Sequence, residues 1–144
     1  MPNKKRRDFV VLGGAGTIGR IVVRDLFASH PENRILVADY NESSARSLAI
    51  SLGGSRVESV FADAHHPERL TRLLNGRSVA INCLQHDFNL SVMEAALSAG
   101  VHYVDLGGLF SWTRKQLRLD KKFRDAGLVA IIGMGCSPGI TNVL

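Results

Sequence analysis

Apolar and polar positions alternate in blocks along the chain. Six short apolar runs, Phe9–Leu12, Arg34–Ala38, Val57–Ala62, Val79–Cys83, His102–Val104 and Leu128–Ile132, are separated by longer stretches in which apolar side chains recur every three or four residues. Runs this short suit strands. The intervening period suits helices, as in the segment carrying Ile18, Val22 and Leu26 and the one carrying Val92, Ala95, Ala96 and Ala99. Gly53, Gly76, Gly100 and Gly127 each precede the next run by a few residues, where a glycine in left-handed conformation closes a helix. Helix starts are marked by Pro67, by Asn41 or Ser43, and by Asp87, the last three able to cap free backbone N–H groups.

Strict alternation of strand and helix predicts parallel strands, because each crossover carries a helix, and right-handed crossovers place the helices on both faces. The expected architecture is therefore α/β: a Rossmann-type, doubly wound, six-stranded parallel sheet over residues 8–144, behind a basic tail at residues 1–7. The segments VVL, ILVA and VAIIG read as central strands, apolar on both faces, while VESVF at residues 57–61 alternates like a strand nearer an edge.

Composition narrows the class. A chain of 144 residues is one domain able to bury its own core. Its two cysteines, Cys83 and Cys136, lie far apart without a signal peptide, which predicts reduced thiols and a cytoplasmic protein. No apolar run reaches the roughly 18 residues that span a bilayer, so no membrane partner is expected. Part of the net charge of +5 comes from Lys4-Lys5-Arg6-Arg7. That run reads as a solvated terminus rather than a nucleic-acid contact, and the remaining excess suits an anionic small ligand.

The candidate chemistry begins at VVLGGAGTIGRIVV, residues 10–23, where four glycines fall within seven residues. Gly14, Gly16 and Gly19 give the G-x-G-x-x-G dinucleotide fingerprint; Gly13, Gly16 and Gly19 give the G-x-x-G-x-x-G of short-chain reductases and their non-catalytic relatives. On the first count Gly14 permits the tight turn, Gly16 the approach of a pyrophosphate, and Gly19 the packing of helix on strand. The expected contacts are the loop residues Gly14, Ala15, Gly16, Thr17, Ile18 and Gly19, lying over a helix N-terminus that offers free amides and a positive dipole end. Asp39, twenty residues after Gly19 at the end of the second run, sits where a carboxylate accepts hydrogen bonds from the adenosine ribose, with Tyr40 beside it. That acid would repel a 2′-phosphate by about 1 kcal/mol in water and about 4 at an intermediate dielectric. NAD is the expected cofactor and NADP the second candidate, since no arginine follows Asp39 directly and Arg46 on the next helix reaches a phosphate only if Asp39 turns away.

The glycines alone leave the count open. Short-chain reductase chemistry needs a tyrosine followed four residues later by lysine, but Tyr40 is followed by Ser44 and Tyr103 by Gly107. A sensor that binds dinucleotide without turnover stays in view as the alternative. Downstream, INCLQ at residues 81–85, AGVHYVDLGG at 99–108 and GMGCSPGITNVL at 133–144, with the glycine loop, resemble the cofactor domain of the saccharopine dehydrogenase family. The resemblance covers essentially the whole chain. It implies an oxidoreductase that moves hydride between NAD(P) and the CH–NH group of an amino-acid derivative. It also implies that an amino acid-like substrate is recognised by a further domain, so that this chain reads as truncated and inactive alone.

In such a fold the ends of the fourth and fifth strands extend beyond the adenosine half. Asn82, Cys83 and Leu84 are candidates to line the nicotinamide ribose, with strand-end capping the alternative for Asn82 and simple apolar packing for Cys83. Asp63, followed by Ala64, is a candidate contact to the adenine amino group or a cap before Pro67. The adjacent His65 and His66 have no further spaced ligand, and no metal is expected. Tyr103 and Asp105 face one side of the sheet: Tyr103 reads as a structural hydrogen-bonding group, while Asp105, Gly107 and Gly108 are alternatives for the edge of a substrate cleft, as is Cys136. Trp112, in a loop leading with Phe110 into a helix carrying Leu117 and Phe123, is a candidate interdomain or homodimer contact. No acid or base can be assigned.

Overall fold

In the computed structural model the described residues are 7–137 and 139–143. Apart from Arg7, the basic tail lies outside them. Six strands, β1 (Arg7–Leu12), β2 (Asn33–Asp39), β3 (Val57–Phe61), β4 (Val79–Asn82), β5 (His102–Asp105) and β6 (Ala130–Ile131), form one sheet in the order β3-β2-β1-β4-β5-β6, and every neighbouring pair is parallel. Helices α1 (Gly19–Ser29), α2 (Glu42–Ser51), α3 (Pro67–Leu74), α4 (Asn89–Ala99), α5 (Phe110–Leu117) and α6 (Asp120–Asp125) make the crossovers. This is the doubly wound sheet that the alternation predicts.

Period-two alternation along the strands divides the core in two. Val11, Ile35 and Val37 face α1 and α2 with Val23, Ala45, Leu48 and Ala49. Val10, Leu12, Leu36 and Ala38 face the other way, against Leu70 and Leu74 of α3, Val92, Met93 and Ala96 of α4, and Leu119 and Phe123. Strand order reverses between β1 and β4, so the loops after these two strands diverge to opposite faces and open a crevice at their carboxyl ends.

Several local expectations hold. Gly53, Gly76, Gly100 and Gly127 all have φ between 59° and 75°, Pro67 opens α3, and the Asn41 side chain caps α2 by accepting from the Ser44 amide at 3.0 Å. Others need correction. Asp87 does not cap α4: it lies in a 3-10 turn, His86–Phe88, and its carboxylate pairs with His86 at 3.3 Å. Of the expected α1 positions Val22 and Leu26 pack against the core beside the fully buried Val23, but Ile18 is 49% exposed and precedes the helix. The run VAIIG is not central. It supplies β6 at the sheet edge, where Val129 and Ile131 are exposed. The one helix expected to carry Leu117 and Phe123 is two, α5 and α6, and Trp112 sits half-buried in the first turn of α5 rather than in a loop.

Candidate functional site

The loop between β1 and α1 is pinned from both sides. The amides of Gly13 and Gly14 both donate to the Ala38 carbonyl, at 2.9 and 3.3 Å, and Gly16 N donates back to the Gly13 carbonyl at 3.1 Å. The left-handed residue of the turn is Gly13, with φ 67°, and not Gly14 as the first glycine count assumes. Gly14 is required for space: a Cβ there would stand 2.8 Å from both the Val11 carbonyl oxygen and Val37 Cγ1. At Gly19 a Cβ would overlap the Gly13 carbonyl, so this glycine lets α1 pack on the turn itself rather than on the strand. Gly13 therefore answers a conformational demand and Gly14 and Gly19 steric ones, so glycines of both counts shape the same loop.

Beyond that turn α1 begins without a side-chain cap. Among the described residues the amides of Thr17, Ile18 and Gly19 donate no hydrogen bond, while Thr17 and Ile18 are exposed. Free amides at a helix N-terminus form an anion site, to which the dipole of an eleven-residue helix adds roughly 0.3–1 kcal/mol per charge.

Asp39, at the end of β2, is bound into this loop. Its Oδ2 accepts the Ala15 amide and its Oδ1 the Asn41 amide, both at 2.9 Å. The side chain of Arg20, which the sequence reading passed over, folds back on the same loop: Nη2 donates to the Ala15 carbonyl at 2.7 Å and Nε to that of Gly16 at 3.3 Å. Its signal was present in the sequence as a cation directly after the last glycine.

A cleft of about 220 Å³ opens beside the loop at the carboxyl ends of β1, β2 and β3. Of the predicted residues it brings together Asp39, Tyr40, Asp63, Ala64 and Leu84, and it adds Leu12, Gly13, His65 and Phe88. Tyr40 stands against the Phe61 ring at 5.4 Å, and His65 meets the Phe88 ring edge-on at 5.0 Å. Asp63 closes a local turn rather than capping α3: Oδ1 accepts the His65 amide at 3.0 Å and faces His65 Nδ1 at 2.9 Å, while Oδ2 lies 3.5 Å from His66 Nε2. The backbone bond from His65, then its side chain, hold the Asp63 carboxyl below its ordinary range.

On the β4 and β5 side the predicted residues turn inward. Asn82 is fully buried; its Oδ1 accepts the Leu84 amide at 3.2 Å, and Nδ2 donates to Asn89 Oδ1 at 2.9 Å and toward Tyr103 Oη at 3.4 Å. Cys83 is half-buried against the α1 and α2 face, and burial pushes its thiol up to about 11. Asp105 is the centre of a buried network. Oδ2 accepts Tyr103 Oη at 2.9 Å and Gln116 Nε2 at 2.6 Å; Oδ1 accepts the amides of Gly107 at 2.8 Å and Gly133 at 2.9 Å. Burial and the neighbouring carboxylate raise the Tyr103 hydroxyl far above its ordinary range, so it stays a donor. Four donors satisfy a carboxylate that has no exposure. Asp105 thus holds the loops after β5 and β6 in place from within. Among the described residues no group of three or more His, Cys, Asp and Glu side chains converges as metal ligands would, and no helix is long and apolar enough to cross a membrane.

Comparison with known proteins agrees with this geometry. The sequence profile of the family described as saccharopine dehydrogenase NADP binding domain matches residues 9–131. The chain belongs to this family. A curated relative, carboxyaminopropylagmatine dehydrogenase of Synechocystis sp., is 31% identical over 145 residues, covering 93% of this chain and 36% of the relative. The chain therefore spans about a third of the length of that relative. Apo saccharopine dehydrogenase (L-Glu forming) from Saccharomyces cerevisiae superposes with TM-score 0.80 at 21% identity, over 94% of this chain and 28% of that one. Triphenylmethane reductase from Citrobacter sp., complexed with NADP(H), gives TM-score 0.65 at 23% identity, over 87% of this chain and 48% of that one. These two likenesses show the fold. Membership of a saccharopine dehydrogenase NADP-binding family means that a nicotinamide dinucleotide is the cofactor class.

Proposed function

We propose that this chain forms the NADP(H)-binding part of an oxidoreductase acting on the CH–NH group of an amino-acid derivative. The observation that carries the reading is the set of unpartnered amides at Thr17, Ile18 and Gly19, in the loop that follows β1, the strand at which strand order reverses. Gly14 and Gly19 pack the loop tightly on β1 and α1, and the exposed Gly16 leaves its backbone bare to a pyrophosphate. The adenosine half then extends over Asp39 and Tyr40 into the cleft toward Asp63, Ala64 and His65, and the nicotinamide half runs past Cys83 and Leu84. Bound there, the dinucleotide supplies or accepts a hydride. Asn82 and Asp105 act on this site only by holding its floor and its neighbouring loops.

NADP takes precedence over the NAD expected from Asp39. Both oxygens of that carboxylate are drawn onto backbone amides, which partly offsets its charge toward a nearby 2′-phosphate. Calorimetry with NADPH and NADH tests the reading: micromolar binding of NADPH with weaker binding of NADH is expected, and no binding of either at millimolar concentration overturns it. For the reaction, tested with this domain joined to a substrate domain, NADPH oxidation that requires an amine together with a carbonyl compound supports the assignment. Oxidation with a carbonyl compound alone overturns it.

A further inference from the structure

We infer that Arg20 reads the 2′-phosphate of NADP and so sets the coenzyme preference of this domain; the inference rests on the dinucleotide reading above. Ala15 is the hinge of the geometry. Its N–H is held by Asp39 Oδ2 at 2.9 Å, and its carbonyl accepts Arg20 Nη2 at 2.7 Å, so the carboxylate and the guanidinium meet the two polar ends of a single residue. In a doubly wound site the adenosine 2′-oxygen lies at the acid that ends β2. A phosphate on that oxygen is therefore placed within one residue of the Arg20 guanidinium.

The guanidinium is fixed but not saturated. Two of its five N–H donors go to the Ala15 and Gly16 carbonyls, and it makes no ion pair among the described residues. The remaining three project from an exposed side chain and form a planar fork of the kind that binds phosphate oxygens. Because the loop carbonyls have already ordered the side chain, little rotamer freedom is left to lose on binding. Arg46, the cation expected from the sequence, does not fit this role. It lines a separate open groove beside β3 with Ile50, Gly54, Glu58 and Ser59.

The test compares four ligands, NADPH, NADH, 2′,5′-ADP and 5′-ADP, on the wild-type chain, on Arg20→Ala and on Arg20→Gln, with thermal midpoints recorded for each. Arg20→Gln keeps a donor for the loop carbonyls without the charge. The expected result is a loss of about tenfold to a hundredfold for NADPH and 2′,5′-ADP in both variants, with NADH and 5′-ADP changed less than about threefold. An equal loss for all four ligands makes Arg20 a loop support only and overturns the inference, as does unchanged NADPH binding. If the wild-type chain binds none of the four, the dinucleotide reading has failed before Arg20 is tested.

Discussion

Asp39 Oδ2 accepts the Ala15 amide at 2.9 Å, so the acid that ends β2 is also the anchor of the glycine loop. Two effects follow when it is removed. The loop loses a charge-assisted hydrogen bond worth roughly 1.5–3 kcal/mol, which weakens any dinucleotide. Only the coenzyme with a 2′-phosphate regains part of the loss through relief of repulsion. Asp39→Ala is therefore expected to lower NADH affinity by tenfold or more and NADPH affinity by less, raising the NADPH-to-NADH ratio. Titration of both coenzymes checks it, and an unchanged ratio removes Asp39 from the 2′ side of the ribose.

The Asp105 network makes a separate claim about stability. Asp105→Ala leaves the part-buried amides of Gly107 and Gly133 without their acceptor and Gln116 Nε2 with only Met93 Sδ at 3.8 Å, while Tyr103 Oη keeps the Asn89 carbonyl at 3.2 Å. A loss of at least about 3 kcal/mol is expected, whereas Tyr103→Phe, which deletes one donor and leaves three, should cost about 1–2. Urea unfolding of the two variants measures both. Similar small losses would mean that the carboxylate is not the centre of the network.

The doubly wound sheet was legible because the block alternation leaves few alternatives: two right-handed crossovers to one side of β1 and, once the chain reverses after β3, three that place strands on the other give β3-β2-β1-β4-β5-β6. Helix ends were legible for a similar reason, since Gly53, Gly76, Gly100 and Gly127 signal a local conformation that needs no distant partner. Roles set by distant partners were hidden. Gly13, the left-handed residue of the turn, also stands against the Cys83 carbonyl, seventy residues on in sequence. Asp105 is pulled inward by Gln116 and Gly133, 11 and 28 residues away. The edge position of β6 was missed because an apolar run looks the same whether its second face is covered by this chain or left open.

Glycines of two kinds separate conformational from steric demand. At Gly100 φ is 70° and an added Cβ meets nothing within 4 Å, so Gly100→Ala should cost only the left-handed penalty of about 1–2 kcal/mol and leave coenzyme binding intact. At Gly19 φ is not positive, but the Cβ would overlap the Gly13 carbonyl and crowd Gly14 Cα at 2.7 Å. Gly19→Ala must therefore displace the loop, with an expected cost of about 3 kcal/mol or more and a drop in NADPH affinity of at least tenfold. Equal effects of the two substitutions on binding would show that the close approach at Gly19 does not shape the site.

Stability should fall on the alkaline side in two steps. Burial raises the Cys83 thiol from 9.0 to about 11 in the folded chain. Its contribution is intact below pH 9 and is lost between pH 9 and 11, where the unfolded chain releases the proton and the folded chain keeps it. The slope over that window is about 1.4 kcal/mol per pH unit. Tyr103, raised above its ordinary 10.0 by burial and by Asp105, adds a second loss of the same sign that begins near pH 10. Urea midpoints from pH 8 to 11 should therefore decline from about pH 9 and steepen above 10. Cys83→Ala is expected to flatten the first segment and Tyr103→Phe the second, each relative to its own stability at pH 8. If the wild-type profile stays level through pH 10, the Cys83 thiol ionises as readily in the folded chain as in the unfolded one, and its apolar packing beneath the glycine loop would have to be abandoned.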